Sequence, residues 1–281
     1  MVKELYFGRD IEGSKIEYYI DIADEIGEKK VQLNWKELLA IESVQNDGDL
    51  QNIKKNDSLK IANKFVEKKE NSEGKTVYTK KDLDTVLNEL AFQSSQKIKV
   101  KSMVSSLEDV FLGSERISKN DYRIEFIDKM KDPSIENYKQ YKVLPSITIA
   151  QAILESGWGG SKLTKQCNNL FGIKADKRWS GESKSFSTGE NYNDVIVASF
   201  RVYPSFEESI IDHGKFLNEN ARYKNNNLFA KDFYKSQAQA LENAGYSTKK
   251  NSDGEAVYAD MLIEIIQKYN LQIIDSEVIG K

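Results

Sequence analysis

Apolar side chains recur at helical spacing through most of the chain, and polar segments separate these runs. Over residues 14–111 the pattern predicts a series of short helices joined by lysine-rich connections. Asn34 with Glu37 is typical of a capping box that opens one of these helices, and Thr79 with Asp82 indicates a similar start for another. The first part of the chain is therefore predicted to be mostly helical.

A third helix is expected to begin at Ser58, and the charged, glycine-bearing segment 67–75 is expected to be a surface loop. The apolar periodicity lapses over residues 113–120 and then resumes. Because a domain boundary usually lies in such a polar stretch, the chain is predicted to form a smaller helical domain over residues 1–115 and a second domain over residues 116–281.

The second part begins with an apolar helix that has clear start and stop signals. Pro145 suits a first helical position, and Gly157, Gly159 and Gly160 stop the helix. Between them an apolar stripe runs at steps of three and four residues, formed by Ile147, Ala150, Leu154 and Trp158. This spacing predicts a helix with one face in a core.

The following region is rich in Gly, Asn, Ser and β-forming residues, which favours loops with a short hairpin at 195–202. Ser205 with Glu208 indicates the start of another helix, and a last helix is expected at 258–269. The predicted fold class is mainly α (α+β). A smaller, mostly helical domain comes first in the chain, and it is followed by a helical domain that carries a small β lobe.

Charge and composition exclude several function classes. The formal net charge of -3 gives no basic surface for nucleic acid, and no apolar run reaches the length of a membrane helix. One cysteine, Cys167, and one histidine, His213, are too few for a disulfide or for a zinc site of these residues. We expect no metal and no organic cofactor, and we interpret Cys167 as an incidental thiol and His213 as a structural histidine.

Glu155 has the setting of a catalytic acid. It lies at the end of the apolar helix, where the negative end of the helix dipole and the apolar neighbours Leu154 and Trp158 are expected to raise the pKa of its carboxyl group. Glycosidic bond cleavage needs a carboxylic acid that is still protonated near neutral pH. The glycines after it would let a polymer approach closely, although most glutamates at helix ends are merely solvated.

The segment Leu144-Pro-Ser-Ile-Thr-Ile-Ala-Gln-Ala-Ile-Leu-Glu-Ser-Gly-Trp-Gly-Gly160 closely resembles the signature of the bacterial endo-β-N-acetylglucosaminidases, glycoside hydrolase family seventy-three. This family includes autolysins and the flagellar peptidoglycan hydrolase. Further motifs of the family occur in its order, over roughly residues 120–275: Asn168-Asn-Leu-Phe-Gly-Ile-Lys174, Phe200-Arg-Val-Tyr-Pro-Ser205, Glu208-Ser-Ile with Asp212-His213, and Ala244-Gly-Tyr-Ser-Thr248. The resemblance implies a lysozyme-like helical catalytic domain.

The same resemblance implies roles for individual residues. Glu155 matches the general acid, and Glu190 in Thr188-Gly-Glu190 matches the second acidic residue of the β lobe. Glu182 is the competitor for that second role, and we favour Glu190. Tyr246 matches the tyrosine of the Gly-Tyr-Ala-Thr motif, where a phenol can help to position the N-acetyl group.

Substrate binding is expected from aromatic rings, which can stack on sugars, and from one amide of the second motif. The predicted substrate-binding residues are Trp158, Trp179, Tyr203 and Asn169. Trp158 serves equally well as a core residue.

The predicted function is therefore hydrolysis of the β-1,4 bond after N-acetylglucosamine in peptidoglycan. A lysozyme-like muramidase or lytic transglycosylase is one alternative, and a non-catalytic glycan-binding module is another. The partner would be the glycan strand, and the protein would act outside the cell or at the cell wall. Because no signal peptide is visible at Met1 to Asp10, that location requires a removed leader or anchor, or another export route. The abundance of Lys, Asn and Ile hints at a Gram-positive source.

One short segment in the first part of the chain is similar in sequence to a segment in the second part. Asn34-Trp-Lys-Glu-Leu-Leu-Ala-Ile-Glu-Ser43 has a vague similarity to Ile149-Ala-Gln-Ala-Ile-Leu-Glu-Ser156. A degenerate or second lysozyme-like unit with Glu42 as its acid would explain this. We favour a helical domain for targeting, docking or regulation, because so short a match on an amphipathic helix is weak.

Overall fold

The structure is a computed structural model that describes residues 11, 13–107, 111–112, 115–116, 121–191 and 194–279, without the side chains of 111–112, 115–116, 188–191 and 194–196. The chain divides into two compact units. Unit 1 comprises Met1–Asp121, Asp232–Ser236 and Glu264–Lys281, and unit 2 comprises Tyr122–Lys231 and Gln237–Ile263. The division of the chain near residue 115 stays a prediction, and unit 1 as observed includes segments from the last fifty residues of the chain.

Unit 1 is built from helices with a β-hairpin between them. Its elements in chain order are α1 (Gly13–Lys29), α2 (Trp35–Gln45), α3 (Lys55–Lys64), β1 (Val66–Glu70), β2 (Thr76–Lys80), α4 (Leu83–Glu89), α5 (Ser94–Ser106), β3 (Phe111–Leu112) and β4 (Glu115–Arg116). Helix α2 is central, since Trp35, Leu38, Leu39 and Ile41 are at most 1% exposed. Asn34 caps this helix as predicted, because its side chain accepts a hydrogen bond from the backbone N–H of Lys36.

Three predictions for unit 1 were wrong in detail. Of the segment 67–75 that was predicted to be a loop, residues 67–70 lie in strand β1 and residues 71–75 form the turn of a hairpin, in which Val66 pairs with Lys80 and Glu70 with Thr76. Its strands were missed because their charged side chains face water and leave little apolar alternation. Thr79 therefore lies in β2, and Asp82 alone caps α4 by accepting from the N–H of Thr85.

The third correction concerns Ser58. Helix α3 begins at Lys55 and not at Ser58, which is buried inside the helix. Its hydroxyl group donates a hydrogen bond to the Glu42 carboxylate instead of capping a helix.

Unit 2 contains a long helix, a short buried helix and a hairpin before its remaining helices. The elements are α6 (Tyr122–Tyr141), α7 (Pro145–Ser156), α8 (Lys162–Cys167), β5 (Ser183–Asn191), β6 (Asp194–Arg201), α9 (Phe206–Glu219) and α10 (Ala221–Asn225), with a 3-10 turn after them at Leu228–Ala230. Helix α6 packs against α7 and against α9. Ser205 caps α9 by accepting from the N–H of Glu208, as predicted.

Three further helices complete the chain: α11 (Tyr234–Asn243), α12 (Tyr258–Lys268) and α13 (Gln272–Val278). The predicted hairpin at 195–202 is a single strand, β6, and its partner is β5, with Ser183 opposite Arg201 and Gly189 opposite Val195. A mainly helical protein with a small β lobe is confirmed. Within the described part of the chain, no helix is both long enough and apolar enough to span a bilayer.

Candidate active site

Helix α7 ends in a tight turn that leaves Glu155 in its last helical turn. Gly157, Trp158 and Gly159 have φ angles of 57°, 59° and 73°, so three successive residues adopt the left-handed conformation. Ser156 holds this turn together, because its hydroxyl group accepts from the N–H of Gly159 at 2.7 Å and donates to the carbonyl oxygen of Ala152 at 2.5 Å.

The turn also has no room for a side chain at its end. A Cβ atom on Gly160 would lie 2.9 Å from the carbonyl oxygen of Gly157, which is closer than carbon and oxygen normally approach. The glycines that suggested a close approach by a polymer therefore have a second purpose, which is to close the turn.

The Glu155 carboxyl group is held by a tyrosine from a distant part of the chain. Tyr258 donates a hydrogen bond to Oε1 of Glu155 at 2.8 Å, and Gln151 Nε2 donates to the Tyr258 hydroxyl at 3.0 Å. Since the hydroxyl oxygen already accepts from Gln151, its proton is directed toward the carboxylate. Tyr258 is 1% exposed, and no local sequence signal places it beside Glu155.

Burial among these groups raises the pKa of the Glu155 carboxyl, while the hydrogen bond from Tyr258 and the positive charge of Lys249 act in the opposite direction. The residue as a whole is nevertheless exposed. The two observations are compatible because the carboxyl oxygen lies against Tyr258 while other parts of the side chain are open to solvent. The carboxyl group can thus hold a proton at a higher pH than a free glutamic acid.

Tyr246 lies next to Tyr258. The two rings stack with centroids 5.2 Å apart and an interplanar angle of 19°. Burial and then the negative charge of Glu155 raise the pKa of the Tyr246 phenol well above its usual range, so the hydroxyl group stays protonated. The structure therefore brings together Glu155 and Tyr246, two of the three residues predicted to be catalytic.

His213 contacts the hydroxyl group of Tyr246. Its Nε2 atom lies 3.3 Å from the Tyr246 hydroxyl oxygen, and its ring stacks on Phe171 with centroids 3.8 Å apart. The histidine is fully buried, and burial lowers its pKa to about 3. It is therefore neutral at neutral pH, in line with the interpretation as a structural histidine, and its Nδ1 atom has no hydrogen-bond partner among the described residues.

The second carboxylate is predicted on the β lobe. Glu190 lies on β5 at a register shift between Gly189 and Asn191, and its side chain lies outside the described part of the structure. Glu182 lies just before β5 and is exposed. Its backbone carbonyl oxygen accepts from Trp179 Nε1 and from the N–H of Val202, both at 2.9 Å, which fixes the base of the hairpin.

Two of the predicted stacking residues are half-buried. Trp158 packs edge-on against Tyr122 and Phe126, with centroid distances of 6.2 and 5.8 Å. Trp179 lies under the Arg201 guanidinium, which is 4.7 Å from its ring centroid. Both residues are therefore partly accessible to solvent.

The other two predicted substrate-binding residues lie in the scaffold. Tyr203 is 4% exposed, and its hydroxyl group donates to Asp212 Oδ2 at 2.6 Å. Asn169 is 1% exposed; its Nδ2 donates to the carbonyl oxygens of Ile173 and Arg201, and its Oδ1 accepts from the N–H of Ile173. Both side chains direct their hydrogen bonds to other parts of the scaffold, and we assign both to holding the loop against β6.

The described residues contain no group of three or more His, Cys, Asp or Glu side chains that could hold a metal ion. Cys167 is buried, and burial raises the pKa of its thiol, so it stays protonated. The groups available for chemistry in the described part of unit 2 include the Glu155 carboxyl group with its raised pKa, the aromatic hydroxyls around it and Glu182 at the base of the hairpin.

Comparisons with known proteins agree with this chemistry. Residues 131–271 match the family model of the glucosaminidases, described as mannosyl-glycoprotein endo-beta-N-acetylglucosaminidase. The exo-glucosaminidase LytG of Bacillus subtilis is 38% identical over 156 residues, 53% of this chain and 52% of that protein. The peptidoglycan hydrolase FlgJ of Vibrio parahaemolyticus is 34% identical over 149 residues, 51% of this chain and 46% of that protein.

Among solved structures, the catalytic domain of the autolysin Auto from Listeria monocytogenes matches with a TM-score of 0.48 and 32% identity, covering 56% of this chain and 90% of that one. The chain spans about half the length of the curated relatives it matches. Since the relatives come from Bacillus as well as Vibrio, the Gram-positive source stays a prediction. The family model, the motif order and the helix-end glutamate agree, and the chain belongs to the glucosaminidase family.

Proposed function

We propose that this protein hydrolyses the β-1,4 glycosidic bond after N-acetylglucosamine in peptidoglycan, with Glu155 as the general acid. The observation that carries the proposal is the Glu155 carboxyl group itself: it lies at the end of α7, is reached by solvent and has a pKa raised by burial. A carboxylic acid in this state can protonate the oxygen that leaves when the glycosidic bond breaks.

Tyr258 positions this acid. Because Oε1 accepts the hydrogen bond from Tyr258, the proton of the neutral carboxylic acid resides on Oε2 and is available to the substrate. Gln151 fixes the direction of the Tyr258 hydroxyl from the other side. Together these contacts keep the carboxyl group in one orientation before the substrate binds, which lowers the entropic cost of reaching the transition state.

A second carboxylate would activate water or stabilise the positive charge that develops on the sugar. We assign this role to Glu190, because it matches the acidic residue of the family motif and lies on β5 of the lobe. Glu182 is the alternative. Tyr246 would use its hydroxyl group to position the N-acetyl group, and neutral His213 would hold that hydroxyl in place.

Substrate binding would rest on Trp158 and Trp179, which are partly accessible aromatic residues whose rings could stack on the apolar face of a sugar. Tyr203 and Asn169 would contribute indirectly by holding the loop and strand that carry Trp179. The catalytic domain would comprise residues 116–281, as predicted from the sequence. The site of action would be the cell wall, because the relatives that match include peptidoglycan hydrolases.

The experiment compares the 281-residue chain with its Glu155→Gln variant on purified peptidoglycan. Mass spectrometry of the released fragments identifies the sugar at the reducing end. We expect N-acetylglucosamine at the new reducing ends and a loss of turnover of about 10²–10⁴-fold in the variant, with binding retained. N-acetylmuramic acid or anhydro ends would indicate the muramidase or transglycosylase alternative, and equal rates would exclude Glu155 as the acid.

The second carboxylate is tested with Glu190→Gln and Glu182→Gln as a matched pair. The proposal expects a large loss of turnover for Glu190→Gln and a small one for Glu182→Gln, with unchanged circular dichroism in both. The reverse order would move the role to Glu182.

A further inference from the structure

The order of elements in unit 1 repeats that in unit 2. In unit 1 a long helix (α1) is followed by the buried helix α2, the helix α3, the hairpin β1–β2 and then α4. In unit 2 the long helix α6 is followed by the buried helix α7, the helix α8, the hairpin β5–β6 and then α9. Each long helix packs against the buried helix after it. The correspondence of elements therefore extends beyond the two short segments of similar sequence, 34–43 and 149–156.

The two buried helices carry a glutamate in the same place. Glu42 is followed by Ser43 and lies in the last turn of α2, as Glu155 is followed by Ser156 in the last turn of α7. The spacing to the hairpin is also similar, at 66 − 42 = 24 residues from Glu42 to Val66 and 183 − 155 = 28 residues from Glu155 to Ser183.

The Glu42 carboxyl group is buried and oriented by hydroxyl groups. It is 3% exposed, and Ser58 Oγ donates to its Oε2 at 2.7 Å. The hydroxyl groups of Ser58 and Tyr18 are 2.9 Å apart. Tyr19 lies so close that the charge of Glu42 adds to burial in raising the pKa of the phenol, yet its hydroxyl completes no hydrogen bond of good geometry with the described residues.

Glu42 is one of the residues that line an open cavity of about 550 Å³ at the end of α2. The cavity is lined by the loop after α2 and by the start of α3, and its polar side chains include Asn46, Asp49, Asn52 and Asp57. A cavity of this volume is large enough for a ligand of one or more sugar rings.

The cavity contains two carboxyl groups with opposite environments. Burial raises the pKa of Glu42, and the charge of nearby Asp57 raises it further. The pKa of Asp57 is instead lowered, because its Oδ1 accepts from Lys60 Nζ at 2.8 Å. Of the two carboxyl groups, Glu42 therefore holds a proton more readily and Asp57 gives one up more readily.

The lining limits the class of ligand. Ionised carboxylates repel phosphate and other anions, whereas carboxylate and amide oxygens accept hydrogen bonds from sugar hydroxyls and from acetamido N–H groups. The described residues include no group of His, Cys, Asp and Glu side chains arranged to hold a metal ion. The lining therefore disfavours an anion, and its oxygen atoms can accept hydrogen bonds from the hydroxyl and acetamido groups of a neutral polysaccharide.

We infer that unit 1 carries a second glycan-cleaving site, with Glu42 as the acid and Asp57 as the base. Glu42 donates its proton to the oxygen that links two sugars as the bond from that oxygen to the anomeric carbon breaks. Water adds its hydroxyl group to the anomeric carbon, and Asp57 takes the proton that the water loses. The choice of peptidoglycan as the polymer rests on the function proposed for unit 2, whereas the site itself does not.

The test removes the acid of unit 2 first. In the Glu155→Gln background, the rate of reducing-end release from purified peptidoglycan and from chitohexaose is compared with and without Glu42→Gln. We expect the single variant to retain slow turnover and the addition of Glu42→Gln to lower it by at least tenfold. Glu28→Gln, an exposed glutamate of α1, is the matched control and should change nothing.

Because substitution of the buried Glu42 can impair folding, the test also includes a variant of an exposed residue. Asp57→Asn changes an exposed side chain and should lower the residual turnover by a similar factor, with the melting temperature unchanged. The inference is overturned if turnover in the Glu155→Gln background equals that of the double variant. If Glu155→Gln loses no activity, the function proposed for unit 2 fails, and the effect of Glu42→Gln in that same background still decides whether unit 1 is active.

Discussion

Glu155 and Glu42 both lie in the last turn of a buried helix, but their surroundings differ. Glu155 is exposed and receives its hydrogen bond from Tyr258, whereas Glu42 is 3% exposed and receives its bond from Ser58. In both cases burial is the largest cause of a raised carboxyl pKa. Burial therefore raises the carboxyl pKa at both helix ends, while the exposure of the two glutamates differs.

The turns after the two helices differ as well. After α7, three successive left-handed residues lead the chain away through Gly157 and Gly159. After α2, Asp47 and Gly48 are left-handed, and the N–H of Gly48 returns to the carbonyl oxygen of Ser43 at 2.8 Å. We therefore expect unit 2 to account for most of the turnover and unit 1 for a slower component.

Among substitutions that test this difference between the two glutamates, we expect the largest effect from removing the hydroxyl group of Tyr258. Tyr258→Phe removes the hydrogen bond to the Glu155 carboxyl while the ring remains stacked on Tyr246. Glu155 becomes negatively charged as it gives its proton to the substrate, and a hydrogen bond to a charged group contributes about 1.5–3 kcal/mol, so we expect kcat on peptidoglycan to fall by about tenfold to hundredfold. Steady-state kinetics measures this, and Tyr78→Phe on the unit 1 hairpin is the control. A variant with unchanged kcat would leave Tyr258 with a packing role only.

The next effect concerns stability at Glu42. Ser58→Ala leaves the buried carboxyl without its hydroxyl donor, and we expect the free energy of unfolding to fall by about 1–2 kcal/mol near neutral pH. Chemical denaturation measures it. Ser134→Ala is the control, because Ser134 is also buried but its hydroxyl makes no hydrogen bond to a described residue.

The pH dependence of this loss has a definite sign. Folding raises the pKa of Glu42, so its contribution to stability is complete below the unfolded pKa and is lost as pH rises through the folded pKa. Ser58 lowers that folded pKa, and removing it moves the folded pKa higher. The deficit of Ser58→Ala should therefore grow with rising pH and become small in acid. A deficit independent of pH would indicate lost packing rather than a lost hydrogen bond.

The weakest effect concerns the charge of Lys249, which lowers the pKa of Glu155. In Lys249→Gln the acid should keep its proton to a higher pH, so the alkaline limb of the kcat profile should move upward by about a few tenths of a pH unit, because solvent screens an exposed lysine. The exposed Lys224→Gln variant serves as the control. A downward shift would contradict the assignment of Glu155 to that limb.

Local signals made part of this site predictable. Pro145 and the glycines marked both ends of α7, and the family motif singled out Tyr246. Tyr258 could not be found in this way, because it lies 103 residues from Glu155 and only packing brings the two together. Tyr203 and Asn169 were expected to contact substrate because they belong to motifs of the family, yet a motif does not indicate which side chains turn inward.

The discontinuous make-up of unit 1 has a consequence for fragments of this protein. The buried Asp24 accepts a hydrogen bond from Tyr234 and forms an ion pair with Lys235. Both partners belong to unit 1 but come from a segment more than two hundred positions later in the chain. In a fragment that ends near residue 121, the Asp24 carboxylate would lack both of these partners. Proteolysis or truncation between the units should consequently yield pieces less soluble than the parent chain.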